Sequence, residues 1–312
     1  MMRNKLLFHW FLAACLCFAL TGCFQNKTVT SPTTLPITEP ALPLQTNAPT
    51  EFAESTEPQI LPSESAVYHE TDFVLVKDFI PDISVELKYA TEDNFTGIVI
   101  YDFQDAYLRY GTVLKLMAVQ EELDGMGLSL KIWDGFRPVT AQWKLWEAYP
   151  DPNYVSHPQT GGRTHCRGNT VDVTLVDKSG NELEMPTGFD DFSEMADRDY
   201  SDCTDRAAGN SRVLQYVMEK HGFRGIQSEW WHYVDEEDYP VEEQFVPINR
   251  SLWYADCQEY INLRKEPHIE AESLRQIPAG HEFHVLGWYD RFALAEYQGI
   301  RGYVNRDYIA RK

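Results

Sequence analysis

A chain of 312 residues, 43% of them hydrophobic and 13% aromatic, is long and apolar enough to bury a full-sized core and to form two globular domains. Its formal net charge of −21 argues against nucleic acid as a partner, since phosphate binding draws on surplus Lys and Arg, and it leaves no polybasic patch for an anionic membrane surface.

Residues 1–23 read as an export signal. Arg3 and Lys5 make a positive start, residues 6–20 form an apolar run broken by His9, and Leu20-Thr21-Gly22-Cys23 follows. The run is shorter than the roughly 20 apolar residues that span a bilayer, so a permanent membrane helix is the weaker reading. Leu-x-Gly-Cys resembles the bacterial lipobox, which implies that Cys23 is diacylated and becomes the mature N-terminus, with plain secretion as the alternative. Cys15 and Cys17 then leave with the signal. Residues 24–66 carry Ser, Thr, Pro and Glu with few bulky apolar positions, the composition of a flexible tether. The expected location is extracytoplasmic, anchored by lipid to the bacterial cell membrane.

A first domain is expected over residues 67–247. It starts near Phe73-Val74-Leu75-Val76, and Val85-Glu86-Leu87-Lys88-Tyr89 alternates like a strand. Residues 107–124 read as a helix with Val113, Leu114, Met117, Ala118 and Leu123 near one face and Gly125 past its end. Leu128, Leu130 and Ile132 alternate with polar partners in a strand that delivers Asp134-Gly135 and then Arg137. Pro138 opens a helix over 139–149. Asn210 or Ser211 is placed to cap a helix running to Gly222, with Val213, Leu214, Val217 and Met218 toward the core.

The chemistry concentrates in Gly161-Gly162-Arg163-Thr164-His165-Cys166-Arg167-Gly168-Asn169-Thr170-Val171-Asp172-Val173-Thr174-Leu175 and in Glu229-Trp230-Trp231-His232. A zinc ion that activates water needs three protein ligands, an open fourth position and a nearby carboxylate to take the proton. His165, Asp172 and His232 would supply the ligands and leave Glu229 as the base. Val171, Val173 and Leu175 make a half-buried strand whose polar face carries Asp172. Seven is an odd separation, so His165 and Asp172 share a face only if a turn intervenes, and Gly168-Asn169 is the place for it. The same parity puts Glu229 at or just before the start of the strand that carries His232. Taken singly, each histidine reads more readily as an ordinary hydrogen-bonded side chain than as a ligand.

These residues resemble the zinc site of the VanX-type D-alanyl-D-alanine dipeptidases, whose pattern is Ser-x-His-x6-Asp followed by Glu-x-Trp-His. Tyr89-Ala90-Thr91-Glu92-Asp93-Asn94-Phe95-Thr96-Gly97, Trp133-Asp134-Gly135-Phe136-Arg137-Pro138 and Ser228-Glu229-Trp230-Trp231-His232-Tyr233 agree with the same family, over residues 70–245. The resemblance implies an α+β fold, a zinc DD-peptidase-like antiparallel sheet with flanking helices. It also implies one Zn²⁺ per chain, Arg137 as the group that stabilises the tetrahedral oxyanion, Tyr89 and Asp190 holding the substrate ammonium, and Thr164 binding its carboxylate. Otherwise Tyr89 is a core aromatic, Asp190 a loop carboxylate and Thr164 a strand-edge hydroxyl. The family serine two residues before the first ligand is Arg163 here. Pointing into the cleft, it would anchor a further carboxylate; pointing outward, it changes nothing.

After Cys23 only Cys166, Cys203 and Cys257 remain, an odd number, so at least one is free or paired between chains. A Cys166–Cys203 bridge has no support in the spacing, and neither Cys166 nor His157 reads as a ligand. Residues 248–312 carry Ile261-Asn262-Leu263-Arg264, Glu282-Phe283-His284-Val285-Leu286, Ala293-Leu294-Ala295-Glu296-Tyr297 and Gly302-Tyr303-Val304, short strands as in a small all-β barrel. The segment is similar to bacterial SH3-like domains, which implies binding to the cell wall, with a passive spacer as the alternative.

The expected function is zinc-dependent hydrolysis of D-Ala-D-Ala or related D-alanyl cell-wall peptides outside the cytoplasm. A D,D- or L,D-carboxypeptidase acting on peptidoglycan stem peptides is the near alternative. A non-catalytic wall-binding lipoprotein is the alternative from another class, and the intact ligands and base argue against it.

Overall fold

The computed structural model describes residues 68–152 and 154–312, so the export signal, Cys23 and the 24–66 tether lie outside the described residues. Strand β1 (Phe73–Leu75), the single turn α1 (Val76–Phe79) and the two-residue β2 (Ser84–Val85) lead to β3 (Tyr107–Arg109), which pairs antiparallel with β1. The alternation around Val85 does not extend into a longer strand. Residues Lys88–Ala90 form a 3-10 turn instead, which carries Tyr89 into the core.

Helix α2 (Tyr110–Met126) follows, then β4 (Leu128–Asp134), α3 (Val139–Ala148), β5 (Thr170–Asp177), α4 (Asp205–Lys220), β6 (Phe223–Ile226) and β7 (Glu229–Asp235). They build a five-stranded sheet in the order β2-β4-β5-β7-β6. Every pairing is antiparallel except β2 with β4, so the expected antiparallel sheet is mixed at one edge. The fold is a mixed α/β one with several sheets and few helices.

Two helices depart from their expected limits for identifiable reasons. The buried face of α2 is Val113, Leu116, Val119, Gln120 and Leu123, while Leu114 and Met117 are exposed. Counting apolar residues rotated the stripe, because Gln120 is polar yet inward. Its amide is satisfied by Asp124, Ser129 and the Leu130 N–H at 2.8–3.2 Å. The helix ends at Gly127, whose φ of +78° is the left-handed cap that closes on the Leu123 and Asp124 carbonyls, so Gly125 is still helical. Helix α4 is capped by Thr204, whose hydroxyl accepts from the Ala207 N–H at 3.1 Å, and Asn210 and Ser211 therefore lie inside it.

The C-terminal part is a second, antiparallel sheet built from β8 (Phe245–Ala255), β9 (Tyr260–Arg264), β10 (Ser273–Pro278), β11 (Glu282–Tyr289), β12 (Phe292–Tyr297), β13 (Ile300–Asn305) and β14 (Ile309–Arg311). Its order is β10-β9-β13-β12-β11-β8-β14. The expected closed barrel is an open sheet here: β10 and β14 form separate edges, and β13 meets β9 through the single pair Tyr303↔Arg264. The 247/248 division drawn from the sequence falls inside β8. Each sheet has its own core, and a third cluster joins Phe73, Leu75, Tyr107 and Phe136 of the first part to Phe245, Leu286, Tyr289, Phe292 and Leu294 of the second. Cys166, Cys203 and Cys257 are all free, which removes the Cys166–Cys203 bridge.

Candidate metal centre and active site

Strand register assembles the site. Asp134 of β4 lies opposite Asp172 of β5, and Asp172 lies opposite His232 of β7, so three ionisable side chains form one row across adjacent strands on one face. Val171, Val173 and Leu175 alternate onto the other face and are fully buried. Thr170–Val176 is buried throughout, on both faces, rather than half-buried.

His165 reaches the row from the 3-10 turn His165–Arg167, which Gly168 reverses at φ +78°. A Cβ on Gly168 would press into the Phe73 ring, so glycine is required there twice over. The turn restores the parity that the odd spacing denied. His165 Nε2 lies 3.2 Å from Asp172 Oδ2, and His232 Nδ1 lies 2.9 Å from Asp172 Oδ1. One donor atom from each of the three residues lies within 4.8 Å of the others. His165 Nδ1 sits 2.9 Å from the Gly135 carbonyl, which only accepts, so Nδ1 carries a proton and Nε2 is the ring nitrogen that faces the cluster. Burial pushes the Asp172 carboxyl upward, but His165 and His232 hold it well below the usual carboxylate range. Burial pushes His165 downward, but Asp172 and Asp134 hold it above its ordinary value. Two imidazoles and an ionised carboxylate converging in this way form a donor set that fits a zinc-like divalent cation.

Glu229 opens β7, where a register shift between Gly225 and Ile226 of β6 lets the chain turn. Its Oε2 is 3.7 Å from His232 Nδ1, beside the donor set and outside the innermost ring of contacts. Burial raises the Glu229 carboxyl above its ordinary value, with His232 opposing the rise. Arg137 follows β4. Its Nη2 and Nε donate to Asp134 Oδ2 at 2.6 and 3.2 Å, its Nη1 donates to Gln142 Oε1 at 3.0 Å, and its guanidinium lies 4.9 Å from the Tyr89 ring. The Tyr89 hydroxyl donates to Asp190 Oδ2 at 2.6 Å. Burial pushes Asp190 up to about 8. Tyr89, Arg137 and Asp190 thus share one wall of the site. Thr164, half-buried, immediately precedes His165, and the Arg163 guanidinium is tied to Glu243 Oε1 at 2.9 Å.

Beyond Asp190 opens a cleft of about 480 Å³, bordered by Lys88, Glu92, Trp133, Thr174, Glu182 and Phe189. Thr174 is fully buried, and its hydroxyl has no hydrogen-bond partner among the described residues.

A family model described as D-ala-D-ala dipeptidase matches residues 69–251. The chain belongs to this family. A bacterial SH3 domain model matches residues 259–310. Curated relatives include the D-alanyl-D-alanine dipeptidases of Escherichia coli (strain K12), 39% identical over 163 residues, of Streptomyces coelicolor, 33% over 194, and of Enterococcus faecalis, 31% over 192. These alignments take in 52%, 54% and 55% of this chain and 84%, 94% and 95% of the relatives.

Within this dipeptidase-family domain, three positioning groups were not singled out from the sequence. Asp134, with no exposed surface, collects the Tyr101 hydroxyl at 2.7 Å, the Gly135 N–H at 2.9 Å and the Arg137 fork. The available signal was an acid at the end of a strand, three residues before Arg137, in Trp133-Asp134-Gly135-Phe136-Arg137-Pro138. Tyr101 also lies 3.3 Å from Arg137 Nε. Arg198 donates to the carbonyls of Ile226, Glu229, Trp230 and His232 at 2.8–3.2 Å, tying down the irregular backbone from which Glu229 and His232 project. Its guanidinium occupies the space that a Cβ on Gly225 would need. No local pattern around Arg198 announces this.

Proposed function

We propose that the chain is a zinc-dependent dipeptidase for D-alanyl-D-alanine, working outside the cytoplasm on a lipid tether at Cys23, with residues 67–247 as the catalytic domain. The observation that carries this reading is the placement of Glu229 Oε2 3.7 Å from His232 Nδ1, beside the buried cluster of His165, Asp172 and His232. His165, Asp172 and His232 would hold the zinc. When bound, the ion supplies Lewis acidity: it lowers the pKa of a coordinated water to about 7 and polarises the scissile carbonyl.

The chain's own residues do the rest. Glu229, made more basic by burial, takes a proton from the attacking water and later returns it to the leaving amine. Arg137, held by Asp134 and Gln142, presents a permanent positive charge to the developing oxyanion and needs no reorganisation as the charge forms. Asp190 and Tyr89 receive the substrate ammonium. An arriving cation favours the ionised form of Asp190, so binding below pH 8 or so releases a proton. Thr164 binds the substrate carboxylate, and pairing with Glu243 keeps Arg163 from adding a second anchor. The C-terminal domain binds the cell wall.

A second reading, a carboxypeptidase acting on longer D-alanyl stem peptides, is favoured by the cleft beyond Asp190. Asp190, given the substrate ammonium here, lines that cleft, so a peptide extended past that end would continue into it. Purified protein assayed on D-Ala-D-Ala, L-Ala-L-Ala and wall pentapeptide, each with and without a chelator, separates the readings. Dipeptide cleavage abolished by chelation supports the first and pentapeptide cleavage alone the second. Cleavage that ignores the chelator removes the zinc mechanism from both.

A further inference from the structure

We propose that the C-terminal sheet is a fixed buttress for the catalytic turn Gly135-Phe136-Arg137, and that Phe245 is the positioning residue through which it acts. The inference rests on the role given to Arg137 above. Phe136 stands between the residue whose carbonyl orients His165 and the residue that carries the guanidinium. Its ring lies 5.6 Å from Phe245 at an interplanar angle of 20° and 4.4 Å from Phe73, which itself lies 4.8 Å from Phe245. Phe245 continues the stack to Tyr289 of β11 at 5.0 Å. All four rings are buried. Gly287 makes the stack possible, since a Cβ there would collide with the Phe245 ring.

Backbone contacts reinforce it. The Phe136 N–H donates to the Tyr107 carbonyl at 3.0 Å, and the Tyr107 hydroxyl donates to the Ile248 carbonyl of β8 at 2.9 Å. Just before β8, the Glu242 N–H donates to the Cys166 carbonyl at 2.8 Å and Glu243 pairs with Arg163. Residues 242–245 therefore touch both segments that deliver the site, 135–137 and 163–166. At the far side, Asp78 accepts Arg250 at 3.0 Å and Arg301 at 2.7 Å, and Glu296 accepts the same two arginines at 2.9 and 3.0 Å. A module hung on a loose linker meets its neighbour through a small polar interface, whereas here an aromatic core and an ion-pair network run across the junction. Catalytic groups tolerate little displacement, so anything that fixes Phe136 fixes Arg137.

The test compares Phe245→Ala, Phe245→Leu and Ile277→Ala in the full chain. Ile277 lies in the second sheet's own core cluster, apart from the cluster shared by Phe136 and Phe245. Phe245→Ala is expected to lower kcat on D-Ala-D-Ala by about tenfold to a hundredfold, the cost of small misplacement, with KM changed less than about twofold and bound zinc unchanged. Phe245→Leu should restore most of kcat, and Ile277→Ala should keep it. Hydrogen exchange at the amides of Phe136, Arg137 and Cys166 should quicken in Phe245→Ala, less in Phe245→Leu, and not in Ile277→Ala. Unchanged kcat and exchange in Phe245→Ala, or equal losses in Ile277→Ala, would overturn the proposal. The exchange readout stands even where the wild type cleaves no dipeptide, an outcome that would sink the dipeptidase reading alone.

Discussion

Replacing Asp134 by Asn keeps the shape of the side chain and removes its charge. In the native site Oδ2 receives two Arg137 donors at 2.6 and 3.2 Å, while Oδ1 receives the Tyr101 hydroxyl and the Gly135 N–H. An amide has one oxygen, so either the guanidinium or the Gly135 N–H must face an NH₂ group. Turning the NH₂ toward Gly135 is cheaper, since the Tyr101 hydroxyl can rotate to accept, but Arg137 then has only a neutral partner. Breaking a buried pair from one side costs about 3–5 kcal/mol, a large share of the roughly 5–15 kcal/mol that a domain has, so the variant should unfold at markedly lower urea yet remain folded at 25 °C. A guanidinium no longer gripped from below is a poorer oxyanion donor, and losing such a donor outright costs about 10²–10³ in kcat, so a fall of about a hundredfold with little change in KM is expected. Urea titration followed by tryptophan fluorescence and steady-state release of D-alanine measure the two effects. Stability within about 1 kcal/mol of wild type together with kcat within about threefold would refute the reasoning, because both lie inside ordinary scatter for a substitution that removes nothing important.

Glu229→Gln should keep the fold and the bound zinc but lose about 10²–10⁴ of kcat, the usual contribution of a placed general base; activity retained within tenfold or so would assign the base elsewhere. For Asp190, pushed up to about 8 by burial, the protonated form is favoured in the folded state, so it contributes stability below the ordinary carboxylate value of about 4 that is lost as pH rises toward 8. Asp190→Asn should flatten that slope in melting experiments. The wild-type KM for D-Ala-D-Ala should also rise as pH falls below about 8, because the carboxyl must ionise to meet the ammonium. A pH-independent KM would remove Asp190 from substrate binding.

The donor set was legible chiefly through its resemblance to the dipeptidase zinc-site pattern, and the odd His165–Asp172 spacing demanded a turn, which Gly168 supplies. The Asp134–Asp172–His232 row was not, since strand register is fixed by pairing across the sheet and leaves no mark in local spacing. Gln120 misled the reading of α2 because a satisfied amide buries as readily as a leucine. In the second sheet, β9, β11, β12 and β13 were visible as apolar alternations. Strand β8 was hidden by Pro247, which sits opposite Gly287 beside the register shift in β11, and β10 by having few apolar residues beyond Leu274 and Ile277. The shared aromatic cluster was invisible for the same reason as the row: Phe73, Phe136 and Phe245 are far apart in the chain and meet only in the folded protein.

A zinc titration of chelator-stripped protein, read by D-Ala-D-Ala hydrolysis and by metal content with His232→Ala alongside, tests the metal mechanism most directly. The expected result is no turnover in the stripped protein, full recovery at about one zinc per chain, and neither stoichiometric binding nor recovery in the variant. Undiminished turnover by the stripped protein, or recovery in His232→Ala equal to wild type, would contradict it.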